Sequence, residues 1–197
     1  MLFDWLSSHL GPDVLRAGSG VLDIAGGKGD VALALAAAGV PCTVVDPRPC
    51  LKRDGSPTLP EGTPGVSQIL SPFDHEGFVA AGAPHEGLMA SASLLLGMHP
   101  DEATEAIVDA ALLLRKPFAI VPCCVFLRAL GGHRTLLNTV AGTAVASAGA
   151  VVATYEDYLD FLQAKDPRIK RTFLNFRGRN VVLSLLDYSS QDRPLLN

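Results

Sequence analysis

Between Val21 and Asp30 the sequence VLDIAGGKGD places an acid, Asp23, two positions ahead of a run of small residues, Ala25, Gly26, Gly27 and Gly29. The run leaves an apolar segment of strand length and enters a helical one. Backbone there can approach a ligand closely and present N–H groups at a helix start. A second acid, Asp46, ends the next apolar run, PCTVVD, and Pro47 follows it. A carboxylate at the end of the second strand of such a unit can accept hydrogen bonds from both hydroxyls of a ribose. Together these features point to an adenosine-containing ligand. A glycine turn alone would be equally at home as a structural link between strand and helix.

Two such ligands compete. Gly27-Lys28-Gly29-Asp30-Val31-Ala32 fits the G-x-G-x-x-A form of a nicotinamide-binding turn, which would make the chain an NAD(P)-binding oxidoreductase. Asp23 opposes that reading, because a carboxylate ahead of the glycines repels a pyrophosphate and suits a ligand that carries an ammonium group and no phosphate. An acid two positions before a small-x-Gly-x-Gly turn resembles motif I of the class I S-adenosylmethionine-dependent methyltransferases. The resemblance implies S-adenosylmethionine as cofactor, with Asp23, Ala25, Gly26, Gly27 and Gly29 around its amino-acid end and Asp46 and Pro47 at its ribose. It also implies Phe73 and Asp74, at the end of the third strand, beside the adenine, and Gly97 and Met98, at the end of the fourth, near the reactive methyl. Ala25 stands where the motif has its first glycine, a change of one methyl that is tolerated unless the backbone needs positive φ. For Asp74 the competing expectation is an Asx turn that closes the strand.

Methyl transfer requires the protein to align an acceptor and, for a hydroxyl or amine, to remove a proton. His99, at the carboxyl edge of the expected sheet, titrates in the range of a general base, and helix capping beside Pro100 is its alternative role. His133, after Gly131 and Gly132 and next to Arg134, is a second candidate. Cys123 in Pro122-Cys123-Cys124 is a third, as a nucleophile towards a pyrimidine carbon if its thiolate is stabilised, and as a buried thiol if not. The run GMHPDEATEAIVDAALLLRKPFAIVPCCVF also resembles, distantly, a methyltransferase branch with a histidine ending the fourth strand and paired cysteines ending the fifth. That branch includes the acceptor-stem tRNA ribose 2′-O-methyltransferases. The matching positions are His99, Ala103, Thr104, Cys123 and Cys124. Pro100 replaces the usual Cys-Gly, and the zinc-binding elements of the branch are missing. What the resemblance implies is an RNA acceptor, tRNA in particular.

The elements that must position these groups follow from periodicity. GVLDIAG reads as a first, buried strand, PCTVVD, the short VSQILS, SASLLLGM and PFAIVPCCVF as four more strands, and KGDVALALAAAG, DEATEAIVDAALLLRK and TYEDYLDFLQAK as helices, the last with Thr154 as N-cap. In DEATEAIVDAALLLRK the expected apolar stripe is Ala106, Ile107, Ala110, Leu113 and Leu114. RIKRTFLNF and NVVLSLLDY, joined by RGRN, read as a closing antiparallel hairpin. Alternating strands and helices predict an α/β fold, a Rossmann-like, mostly parallel sheet with helices on both faces; seven strands are what the class I resemblance implies. With 197 residues and 48% hydrophobic content, one domain over 1–197 is expected, with 1–18 a helical extension and 19–187 the core.

The amino-terminal residues lack a basic lead and a continuous apolar run, which predicts a cytoplasmic protein with no membrane association. Four cysteines without zinc-ligand spacing predict reduced thiols and no metal. Charge divides unevenly: residues 1–114 carry 5 basic against 14 acidic residues, and residues 115–197 carry 11 against 6. Lys165, Arg168, Lys170, Arg171, Arg177 and Arg179 cluster around Phe173 and Phe176. They are either a surface for RNA phosphates or charges that protect an exposed strand edge. An RNA acceptor is therefore expected first, a small molecule or protein side chain second, and a non-catalytic cofactor-binding module third.

Overall fold

The computed structural model describes residues 2–59, 62–123, 152 and 154–188. Seven strands form one sheet: β1 (Val21–Ile24), β2 (Cys42–Val45), β3 (Val66–Ile69), β4 (Leu94–Met98), β5 (Phe118–Val121), β6 (Lys170–Phe173) and β7 (Val181–Leu185). Their order is β3-β2-β1-β4-β5-β7-β6. β3, β2, β1, β4 and β5 pair in parallel, and β7 pairs antiparallel with both β5 and β6. This is the Rossmann-like, mostly parallel sheet that the alternation of elements predicts, closed by the expected hairpin. Strands β1, β2 and β5 are buried along their whole length, which is why they read as unbroken apolar runs, whereas β3 and β6 are the partly exposed edges.

The helices are α1 (Leu2–Leu10), α2 (Pro12–Leu15), α3 (Asp30–Ala37), α4 (His75–Phe78), α5 (Glu86–Ser91), α6 (Thr104–Leu114) and α7 (Tyr155–Gln163). They cover both faces of the sheet. Leu22, Ile24, Leu95, Phe118 and Ile120 pack with Met89 of α5, Ile107 of α6 and Leu159 of α7. On the other face Val21, Val44, Leu94, Leu96 and Val121 pack with Leu6 of α1, Leu15 of α2 and Leu35 of α3. Because side chains alternate along a strand, Asp23 falls on the same face as Val21, under α3.

Two local details differ from the periodicity reading. Helices α4 and α5 fill a glycine- and alanine-rich stretch that has no clear stripe; Asp74 starts α4 by accepting from the Gly77 N–H at 2.7 Å. In α6 the buried residues are Thr104, Ile107, Val108, Ala110 and Ala111, while Leu113 and Leu114 are exposed. Leu113 and Leu114 lie in the last turn, which ends at Arg115, left-handed at φ 52°. The start of α7 follows expectation and is reinforced: Thr154 Oγ accepts from Asp157 N–H, and Asp157 accepts from Thr154 N–H in return. Among the described residues no helix is long and apolar enough to cross a membrane.

Candidate functional site

In a doubly wound sheet a ligand crevice opens at the carboxyl ends of the strands where the order reverses, here between β1 and β4. A cavity of about 430 Å³ lies there, lined by Asp23, Ala25, Gly26 and Gly27 from β1 and its loop and by Met98, His99 and Asp101 after β4. Lys28, Asp30, Val31 and Arg48 complete it.

Asp23 is the chemical centre of this cavity. Its residue is fully buried, and neither carboxylate oxygen has a hydrogen-bond partner among the described atoms. Burial first, and the charge of Asp46 second, push its pKa up from 3.8 to about 7. A buried carboxylate with both oxygens unsatisfied is costly, on the order of 1–3 kcal/mol or more for a charged group, and a ligand, a water or an ion that brings donors relieves that cost. The loop is shaped around it. A Cβ on Gly26 would lie 2.7 Å from Asp23 Oδ2 and 2.9 Å from Val44 Cγ1, so only glycine leaves the carboxylate its position.

Ala25 sits at φ 54°, in the left-handed region. The expectation that its extra methyl is tolerated carried the condition that the backbone there does not need positive φ; that condition fails, and the position is strained by about 1–2 kcal/mol. His99 at φ 56° and Asp101 at φ 47° are strained in the same way. Three of the four described non-glycine residues with positive φ therefore line this one cavity; the fourth, Arg115, ends α6.

The other expected site residues are placed as follows. Asp46, 1% exposed at the end of β2 and not among the residues that line the cavity, accepts from the Gly27 N–H at 3.0 Å through one oxygen and from the Arg48 N–H at 2.9 Å through the other. Its carboxylate thus braces the glycine loop from below and is itself screened by Arg48. Gly29 is buried against Leu59 and Cys50, Gly97 against Pro100 and Ile107, and Pro47 is exposed beside the cavity without lining it. Phe73 is buried with its ring 5.0 Å from that of Phe78, and Asp74 caps α4, so neither lines the cavity. Cys123 is half-buried, and its thiol donates to Asp101 Oδ1 at 3.0 Å. Tyr155 OH donates to Pro122 O at 3.0 Å, and Arg179 lies over the Tyr155 ring at 3.8 Å. His133, Arg134 and Cys124 lie outside the described residues.

Three of the six clustered cations are engaged by carboxylates. Lys165 Nζ lies 2.9 Å from Glu105 and 2.5 Å from Asp109, tying the end of α7 to α6. Arg171 of β6 reaches Glu156 and Asp160 of α7 at 3.1 and 2.6 Å, and Arg168 grips Asp166 with two nitrogens. The basic stretch is thus in part an internal fastening, which residue counting missed because the partners of Lys165 lie 56 and 60 positions away.

Sequence reasoning also missed Lys28, Arg48 and Asp101 as site residues. Arg48 had a signal, two places after Asp46, and Asp101 had one in its place just past the end of a strand. No family model matches this chain, and neither does any curated protein. Among solved structures the chain is similar to the W203A mutant of the 16S rRNA (adenine(1408)-N(1))-methyltransferase from Catenulisporales acidiphilia, at a TM-score of 0.38 and 16% identity over 88% of each chain. A likeness at that level carries no argument about activity.

Proposed function

We propose that this chain is a methyltransferase that uses S-adenosylmethionine, with residues 19–187 as its core and RNA as the acceptor. One observation carries the reading: the carboxylate of Asp23, fully buried and without a hydrogen-bond partner, opens on the cavity at the point where the sheet order reverses. An ammonium group is the ligand chemistry that satisfies it, supplying donors and a compensating charge at once. A diphosphate is the chemistry that this carboxylate disfavours; Asp30 and Asp101 on the same walls add to that repulsion, and Lys28 and Arg48 act against it. The residues present therefore fit S-adenosylmethionine better than a nicotinamide dinucleotide.

In this reading Asp23 holds the ammonium of the cofactor, and Gly26 and Gly27 let its amino-acid end approach the backbone. Asp46 receives the ribose hydroxyls with the lone pairs that Gly27 and Arg48 leave over. Met98 and His99 face the reacting end. The bound cofactor supplies an electrophilic methyl carbon. The protein supplies alignment, a site from which water is partly excluded, and a group that takes a proton from the acceptor. Support for RNA comes from the basic residues 115–197 and from Lys170, Arg177 and Arg179, for which no ion pair is found among the described residues.

Calorimetry with S-adenosylmethionine, adenosylhomocysteine and NADH tests the cofactor, and D23A should abolish binding of the first two. Heat with NADH alone, or D23A binding like the parent chain, overturns the assignment. Incubation with methyl-labelled cofactor and separated RNA, protein and metabolite pools tests the acceptor. Label confined to metabolites or protein overturns RNA.

A further inference from the structure

Asp101, just past the end of β4, lines the cavity beside His99. β4 ends at Met98, and the next three residues take a path that L-residues avoid, with His99 and Asp101 both left-handed around Pro100. The turn is anchored on both sides: the His99 N–H donates to Val121 O at 3.0 Å, and Thr104 Oγ1 donates to Asp101 O at 2.7 Å. This turn places Asp101 in the lining that also holds Asp23, Met98 and His99. There the thiol of Cys123, on the segment that leaves β5, donates to Asp101 Oδ1 at 3.0 Å.

That contact decides what the cysteine does. A nucleophilic cysteine needs its thiolate stabilised by a cation or a helix start. Here the group that the S–H donates to is a carboxylate. Resting on the methyltransferase reading above, we infer that Asp101 accepts the hydrogen bond and then the proton of an N–H or O–H acceptor, with Cys123 as its positioning donor. The acceptor class is thereby an amine, a ring or amide nitrogen, or a hydroxyl, and not a pyrimidine carbon activated by addition of the thiol. The step balances. A lone pair of the acceptor N or O forms the new bond to the methyl carbon, the carbon–sulfur bond breaks with its electrons neutralising the sulfonium, and the acceptor proton passes to Asp101 and on to water.

The test uses the full chain and the variants D101N, C123A and C123S. Adenosylhomocysteine affinity is read by calorimetry, transfer of labelled methyl into whichever of the RNA, protein or metabolite pools the parent labels, and iodoacetamide alkylation of Cys123 at pH 8 by peptide mass spectrometry. D101N should bind adenosylhomocysteine within a few-fold of the parent, lose about a hundredfold or more in transfer, and alkylate at Cys123 about tenfold faster as the opposing charge is removed. C123A should lose about tenfold in transfer, the worth of one hydrogen bond to a charged group, and C123S, which keeps a donor, should restore most of it. C123S as inactive as D101N makes the cysteine the attacking group and overturns the inference. So does D101N with transfer or alkylation unchanged. If the parent chain binds no adenosylhomocysteine and labels no pool, the methyltransferase reading falls and takes this role with it. An unchanged alkylation rate beside normal cofactor binding removes the Asp101 role alone.

Discussion

Replacing Asp23 with Asn should make the chain more resistant to unfolding at alkaline pH than at acidic pH, relative to the parent. In the folded state the Asp23 pKa stands near 7 and in the unfolded chain near 3.8. The folded value is the higher one, so the sign follows directly. Below about pH 4 both states hold the proton and there is no penalty; between about 4 and 7 the unfolded chain ionises first, and rising pH favours unfolding; above about 7 the penalty is complete. At about 1.4 kcal/mol per unit the whole shift is worth roughly 4 kcal/mol, and roughly 2–3 kcal/mol of it accrues between pH 5 and pH 8. Asn leaves its own amide unsatisfied, at about 1–3 kcal/mol, but that cost does not vary with pH. The quantity to follow is therefore the difference in Tm between parent and D23N, which should shift in favour of D23N by about 5–10 °C from pH 5 to pH 8 at about 2–4 °C per kcal/mol. Saturating adenosylhomocysteine at about a hundred times its Kd should raise the parent by roughly 2.7 kcal/mol and leave D23N unmoved. A difference between the two proteins that stays flat over that pH range would show that Asp23 is not a desolvated acid, and the case for an ammonium-binding cavity would go with it.

A methyl group on Gly26 would press on Asp23 Oδ2 and Val44, whereas one on Gly27 meets nothing within 4 Å. G26A should therefore lose ligand binding and about 1–3 kcal/mol of stability; G27A, which carries mainly the cost of its left-handed backbone, should lose about 1 kcal/mol. Urea melts with and without adenosylhomocysteine separate them, and equal behaviour of the two variants refutes the cradle around Asp23. Because Ala25 is held at φ 54°, A25G should stabilise the chain by about 0.5–1 kcal/mol, and a loss of stability would mean that the alanine methyl has a packing role that outweighs its strain. In RNA-binding titrations against salt, R177A and R179A should each reduce the logarithmic slope by about 0.7–0.9. K165A should leave the slope alone and lower the melting temperature, since Lys165 is held by Glu105 and Asp109; a slope change from K165A would show that the ion pair opens for RNA.

The sheet was legible because its central strands are buried on both faces, and a strand such as LLLGM or FAIV can be little else when glycine, proline or a helical pattern bounds it. The glycine loop and the acid ahead of it were legible because local chemistry at a strand end is written in consecutive residues. Features that depend on the return of distant chain were hidden: the exposure of Leu113 and Leu114 at the end of α6, the carboxylates across α6 and α7 that engage Lys165 and Arg171, and the approach of Cys123 to Asp101 across 22 positions. Strain was hidden for the same reason, since nothing in the letters Ala25, His99 or Asp101 announces a left-handed backbone. Yet these hidden features are not scattered. The buried acid with both oxygens unpartnered and three of the four described non-glycine residues with positive φ line one cavity at the reversal of strand order. Packing alone would not concentrate such costs in one place, because each could be relieved by a common substitution: Asn or Val for the acid, glycine for the strained positions. Their coincidence is what the proposed cofactor site requires, and the buried acid is the group that the proposed ammonium would satisfy.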